Sequence, residues 1–188
     1  MTLQVLRAAD HRCMPWKNGR GETTEIAIWP PTAGLDGFDW RISMAGVAED
    51  GDFSIFPQID RSLAVLSGDG IELQVQGLGL HRLTLATPPL AFAADVPASA
   101  RLLGQPITDL NVMTRRGSWS HRLLRGTDDP GPDTADWTLV LAARALELPG
   151  PAGPLTLAPL DALLCHGPAS GVFPPRIEGA WRVQISRT

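Results

Sequence analysis

Tyrosine is absent from this chain of 188 residues, lysine occurs once, at Lys17, and cysteine only twice. Each scarcity excludes something. Cys13 and Cys165 show no short metal-type spacing, and a lone pair is expected to be two thiols in a reducing compartment rather than a disulfide framework. The four histidines, His11, His81, His121 and His166, lie far apart. Without a His-x-His or His-x-x-x-His pair, no metal site is expected. No apolar run approaches the ~20 residues of a membrane helix. The start of the chain carries Arg7 and Asp10 and no apolar stretch, so no signal peptide is expected. There is no basic stripe with interleaved aromatics, and the net charge is −4, which argues against nucleic acid or a membrane as partner. A Gly-x-Ser-x-Gly elbow, a phosphate loop and a dinucleotide fingerprint are also missing; Gly68-Asp-Gly70 lacks a third glycine and reads as a hairpin turn. The expectations are a cytoplasmic protein with no cofactor.

Turn-forming residues are abundant. Nineteen glycines and 17 prolines punctuate the chain about every five residues, which favours many short strands over long helices. Residues 38–44 (FDWRISM) place Phe38, Trp40, Ile42 and Met44 on one face at period two, with Asp39, Arg41 and Ser43 on the other. Residues 61–67 read as a strand, 67–70 (SGDG) as a tight turn and 71–75 as the returning strand. Residues 25–29, stopped by Pro30 and Pro31, and 81–85, 119–124, 137–142, 153–157, 161–165 and 180–185 complete the set. Residues 109–114 admit either a single turn or an extended stretch. Residues 126–136 form an acidic, turn-rich loop. The chain is therefore expected to be all-β, a sandwich or barrel. A weak echo between the halves suggests two stacked β-modules with 97–109 as crossover.

Three stretches concentrate unusual chemistry. In residues 14–26 (MPWKNGRGETTEI), Trp16, Lys17 and Asn18 offer a flat apolar face, a cation and an amide, and glycines flank Arg20. Together they would hold a planar carboxylate. The competing reading is a turn entering a strand, with Trp16 packed on the core. In residues 53–62 (FSIFPQIDRS), Arg61 beside Asp60 would fork onto a carboxylate; the alternative is a structural ion pair. In residues 107–117 (ITDLNVMTRRG), an extended chain aims Asn111, Met113 and Arg115 at one side. The alternative puts Leu110, Val112 and Met113 in the core and the arginines in water. Arg41 lies on the polar face of its strand, which faces either a cavity or solvent.

These stretches, "MPWKNGRGETTEI", "FDWRISMAGVAEDGDFSIFPQIDRSLAVLSGDGIEL" and "RLLGQPITDLNVMTRRG", in this order, resemble the HutD/Ves family. The resemblance spans most of residues 14–117, and the last third matches mainly in strand pattern. It implies a double-barrel cupin, or bicupin, with little helix: one domain over 1–188, with an N-terminal barrel over about 1–110 and a C-terminal barrel over about 111–188 sharing strands. It also implies regulation of bacterial histidine utilisation, with urocanate or N-formylglutamate as ligand. The family loop often reads Asn-Gly-Gly-Gly, where this chain has Arg20 in the middle position, and often has arginine where this chain has Thr24.

The sequence reading is a binding module without catalysis of its own. Its ligand is a small-molecule carboxylate held by Trp16, Lys17, Asn18, Arg20, Thr23, Arg41, Asp60, Arg61, Asn111, Met113 and Arg115. A homodimer is compatible with it. The alternative is a metal-free cupin enzyme, an isomerase or hydrolase using Glu22, Glu25 or Asp60 as base.

Overall fold

The computed structural model describes all residues except 17–20, 133, 151–152 and 170. The described residues form strands joined by turns, with one short 3-10 turn at Ala8–Asp10. The first strands are β1 (Thr2–Leu6), β2 (Arg12–Pro15), β3 (Gly21–Trp29), β4 (Trp40–Val47), β5 (Gly51–Asp52) and β6 (Ile59–Ser67). Then come β7 (Ile71–Val75), β8 (Gly79–Leu83), β9 (Leu90–Ala93), β10 (Ala98–Leu102), β11 (Ile107–Arg115) and β12 (Trp119–Arg125). The last are β13 (Trp137–Ala142), β14 (Leu146–Leu148), β15 (Leu155–Leu157), β16 (Ala162–His166) and β17 (Ala180–Arg187). No helix among the described residues is long and apolar enough to cross a membrane.

The chain divides into two compact units. Residues Arg12–Ser120 build a six-stranded sheet, in the order β2-β3-β4-β11-β6-β9, and a four-stranded sheet, β5-β10-β7-β8. Leu63 and Val65 of β6 and Ile107 of β11 meet Ile71, Leu73 and Val75 of β7 in one apolar cluster between the two sheets. Each such side chain stabilises the fold by ~1.5–3 kcal/mol when fully buried. The second unit, Met1–His11 with His121–Thr188, holds a five-stranded sheet, β1-β16-β13-β17-β12, and the ribbon β14-β15. Its central strand β13 is buried along its whole length. Its core gathers Val140, Leu148, Leu157, Leu163 and Phe173.

Two expectations are corrected. Residues 67–70 do not close a hairpin. β6 pairs with β9 and β11, β7 with β8 and β10, so the turn carries the chain from one sheet to the other. Gly68 and Gly70 take φ of +86° and +105° there, and a Cβ on Gly68 would strike the Pro106 carbonyl oxygen and Ile107. The corner is thus too tight and too left-handed for any residue with a side chain. The expected crossover at 97–109 contains β10, an internal strand of the four-stranded sheet. Its buried residues are the small Ala98 and Ala100, which carry little of the bulk that marks a strand in sequence. Residues 109–114, open between turn and extended chain, lie in β11.

Gly68→Ala should lower the free energy of unfolding by at least ~1–2 kcal/mol, the cost of left-handed backbone for a residue with a Cβ. Urea denaturation reads this directly, and unchanged midpoints would contradict the corner geometry.

Candidate functional site

Strand register brings polar side chains into the interior of the Arg12–Ser120 unit. Directly paired residues on adjacent strands share one face of a sheet. One rung of the six-stranded sheet aligns Thr23, Ala45, Asp109 and Val65. The next aligns Glu25, Ser43, Asn111 and Leu63. A third aligns Ile28, Arg41, Met113, Arg61 and Phe92. Leu63, Val65 and Phe92 belong to the cluster that meets the four-stranded sheet, so this face points inward. An otherwise apolar space therefore receives two arginines, two acids, an asparagine, a serine and a threonine.

Arg61 is the centre of this group. Its side chain is 3% exposed. The guanidinium carbon lies 5.4 Å from the ring centres of Phe53 and Phe56 and 5.8 Å from that of Phe92. Such cation–π contacts contribute ~0.5–2 kcal/mol each. Its one hydrogen bond among the described residues is a weak one, from Nη2 to the Met113 sulfur at 3.8 Å, and its Nε is buried with no partner. Burial pushes its pKa down to about 10; Asp109 opposes that fall and Arg41 adds to it. Arg61 still carries its charge at neutral pH, without a carboxylate at ion-pair distance among the described residues. Desolvating an ion costs several kcal/mol even after relaxation. The surrounding core can offset that cost for folding, but it does not supply the missing hydrogen bonds.

Asp109 is the counterpart. It is fully buried, and its Oδ1 accepts a hydrogen bond from Asn111 Nδ2 at 2.5 Å, while Oδ2 is buried with no partner. Burial raises its pKa to about 7, against the opposing pull of Arg61, the Asn111 amide and the Ala45 backbone N–H. Arg41, also buried, is satisfied: its Nε donates to Glu25 Oε2 at 2.7 Å.

The remaining residues expected from sequence fall in three places. Trp16 Nε1 donates to Thr23 Oγ1 at 2.8 Å, and the indole packs against the interior cluster. Gly21 permits this, because a Cβ there would come within 3.0 Å of the indole ring and strike the Gly46 carbonyl oxygen. Lys17, Asn18 and Arg20 lie outside the described residues. Asp60 sits on the opposite strand face from Arg61, half-exposed, and pairs with Arg116 at 2.8 Å. Arg115 is at the strand end, where its Nη2 donates to the Phe38 carbonyl at 2.7 Å and its Nε is 4.0 Å from Asp39.

Sequence reasoning did not select Asp109, Ser43, or the rings of Phe53, Phe56 and Phe92, and it weighed Glu25 only as a base. For Asp109 and Ser43 the signal was present: each lies two residues from a selected residue on the same strand face. The rings come from separate segments with no shared local pattern. One surface depression borders the site through Phe53, whose ring faces Arg61. It measures about 430 Å³ and lies beside Gln74, Gln76 and Ser99, and another of about 410 Å³ lies beside Pro15, Gly46 and Pro106. Neither is lined by Arg41, Arg61 or Asp109, and an unpartnered buried charge is the stronger demand for a guest. No group of three or more His, Cys, Asp or Glu among the described residues could hold a metal ion.

A nearly all-β chain of antiparallel sheets in two units, one enclosing a polar interior, defines a double-barrel cupin. The HutD family model matches residues 8–183, and the chain belongs to that family. It is 45% identical over 111 residues to an uncharacterised 21.2 kDa protein in the hutC 3′ region of Pseudomonas putida, covering 59% of this chain and 57% of that one. It is 43% identical over 103 residues to protein Ves of Cronobacter sakazakii, covering 54% of each. The chain thus spans just over half the length of these curated relatives. HutD from Pseudomonas fluorescens SBW25 (formate condition) matches over 100% of both chains, with a TM-score of 0.80 and 32% identity.

The raised pKa of Asp109 has a consequence for stability. Below the ordinary carboxylate value of ~4 the acid is protonated in both folded and unfolded chains, and the stabilisation is fully present. It is lost as pH rises through about 7. Compared with Asp109→Asn, the wild type should lose unfolding free energy steadily between those values and run parallel above them. Denaturation at a series of pH values checks this; parallel curves throughout would contradict the burial of Asp109.

Proposed function

We propose that this HutD-family protein binds a small carboxylate inside the barrel of residues 12–120, with Arg61 as the residue that receives the anion. One observation carries the reading: Arg61 is a buried guanidinium, ringed by phenyl groups, with an unpartnered Nε and no ion pair among the described residues. A structural arginine in a core is normally paired, because breaking such a pair costs ~3–5 kcal/mol. A flat carboxylate matches the fork of donors and fits between aromatic walls. Trp16 and Asn111 add an apolar surface and an amide. Lys17, Asn18 and Arg20, next in the chain to Trp16, are proposed to complete the entrance. Asp60 and Arg115 have partners of their own and are assigned a supporting role at the edge of the site.

The relative from the hutC 3′ region and the HutD structure point to histidine utilisation as the setting. Urocanate and N-formylglutamate are therefore the candidate ligands, each with a carboxylate on a largely planar or flexible body. The protein would act as a cytoplasmic modulator whose ligand occupancy reports pathway flux.

Titration calorimetry with formate, urocanate and N-formylglutamate tests this. The wild type should bind at least one of them. Arg61→Met should weaken that binding by about 10–100-fold, the equivalent of one charge-assisted hydrogen bond. Circular dichroism should show the variant folded. Arg61→Lys should recover only part of the affinity, because an ammonium cannot form the two parallel bonds. Equal affinity in wild type and Arg61→Met would overturn the assignment.

A further inference from the structure

Among the described residues facing the barrel interior, Glu25 on β3, Arg41 on β4, Arg61 on β6 and Asp109 on β11 are the buried or nearly buried charged groups. Arg12, opposite Glu25 on β2, is exposed. The four-stranded sheet contributes Ile71, Leu73, Val75, Ala98 and Ala100 to the cluster; its one ionisable residue on that face among the described residues is the half-buried His81, paired with Leu73 and with its Nε2 against the Leu78 carbonyl. Two positive and two negative groups sum to zero when Asp109 is ionised. Among these four described groups, an incoming anion therefore shifts the balance to −1 in a low-dielectric space, where an uncompensated charge is strongly disfavoured. The imbalance can be removed by one proton. Glu25 already has a partner in Arg41, at 2.7 Å. Asp109 has a different environment. The Asn111 amide donates to Oδ1, which defines Oδ1 as the acceptor oxygen and leaves Oδ2 as the oxygen able to carry hydrogen. Oδ2 is buried and without a partner, and Arg61 Nε is in the same condition. A carboxylate that reaches both atoms satisfies both, provided Oδ2 is protonated.

We infer that anion binding at Arg61 is coupled to the uptake of one proton from solvent, carried on Asp109 Oδ2, which then donates a hydrogen bond to the bound carboxylate. The inference rests on the reading of Arg61 as the anion receptor. Asp109 becomes a direct ligand contact, with the guanidinium on one side of the anion and a carboxylic acid on the other. Its pKa of about 7 suits this role, since the proton is acquired at little cost. An additional negative charge beside Asp109 strengthens its hold on the proton.

The test uses the full chain and formate, an anion that does not itself titrate near neutral pH. Formate affinity is measured at pH 6, 7.5 and 8.5, with calorimetry at pH 8.5 in two buffers of different ionisation enthalpy. The expected result is tightest binding at pH 6 and a dissociation constant that rises about tenfold between pH 7.5 and 8.5, the signature of one linked proton. Calorimetric heats should differ between the buffers by close to one proton's worth of ionisation. Asp109→Asn, whose amide can donate without a proton from solvent, should bind formate with no pH dependence over this range. Affinity that is flat with pH in the wild type, together with buffer-independent heats, overturns the inference while leaving the carboxylate reading intact. Absence of formate binding at pH 6, where Asp109 already holds its proton, removes both. The wild-type profile decides the matter even if the variant fails to fold.

Discussion

A guanidinium held away from water, with aromatic rings around it and no carboxylate against it among the described residues, is the feature to which the rest of the Arg12–Ser120 unit is arranged. Arg61 is costly there. Several kcal/mol of desolvation are recovered only in part by ring faces and a sulfur contact. The unit tolerates this because its two sheets enclose a row of aliphatic side chains, each contributing ~1.5–3 kcal/mol. The same well-packed barrel thus carries an under-partnered charge in its interior.

The scaffold acts through parity. On β6, Asp60 and Arg61 are adjacent in sequence and face opposite ways, so one meets Arg116 near solvent and the other enters the barrel. On β11, Asp109, Asn111 and Met113 share the inward face, while Leu110 and Val112 point the other way and are also buried. Paired registers across β3, β4, β11 and β6 then stack these inward residues into rungs. Precise placement of polar groups from distant parts of the chain needs no special local motif; it follows from backbone pairing and a period of two.

Much of this was legible in sequence. The alternation in residues 38–44 marked β4, and the apolar run at 137–142 marked β13 with its observed limits. Proline after Trp29 marked the end of β3. What escaped notice had physical reasons. β10 relies on two alanines, and β1 has no strong alternation and depends on pairing with β16. The 67–70 turn looks like a hairpin because the glycines suit one, yet strand choice is decided by core packing beyond the turn. For the site, β11 could be read only after settling that it is extended. A register shift between Thr108 and Asp109 then ends the simple alternation at the residue that matters most. The phenyl rings around Arg61 arrive from residues 53, 56 and 92, a grouping that only the folded chain defines.

The pairing of β1 with β16 bears on the order in which the molecule is made. Thr2 sits opposite His166, so the opening strand emerges from the ribosome long before its neighbour exists. The unit of residues 12–120 has all of its sheet partners once its own segment has been synthesised, whereas in the other unit β1 has no partner until β16 has been made. At typical elongation rates of ~5–20 residues per second, that interval lasts seconds. For that time a short, exposed edge of Thr2–Leu6 is available to wrong partners, and its modest length of five residues limits the hazard.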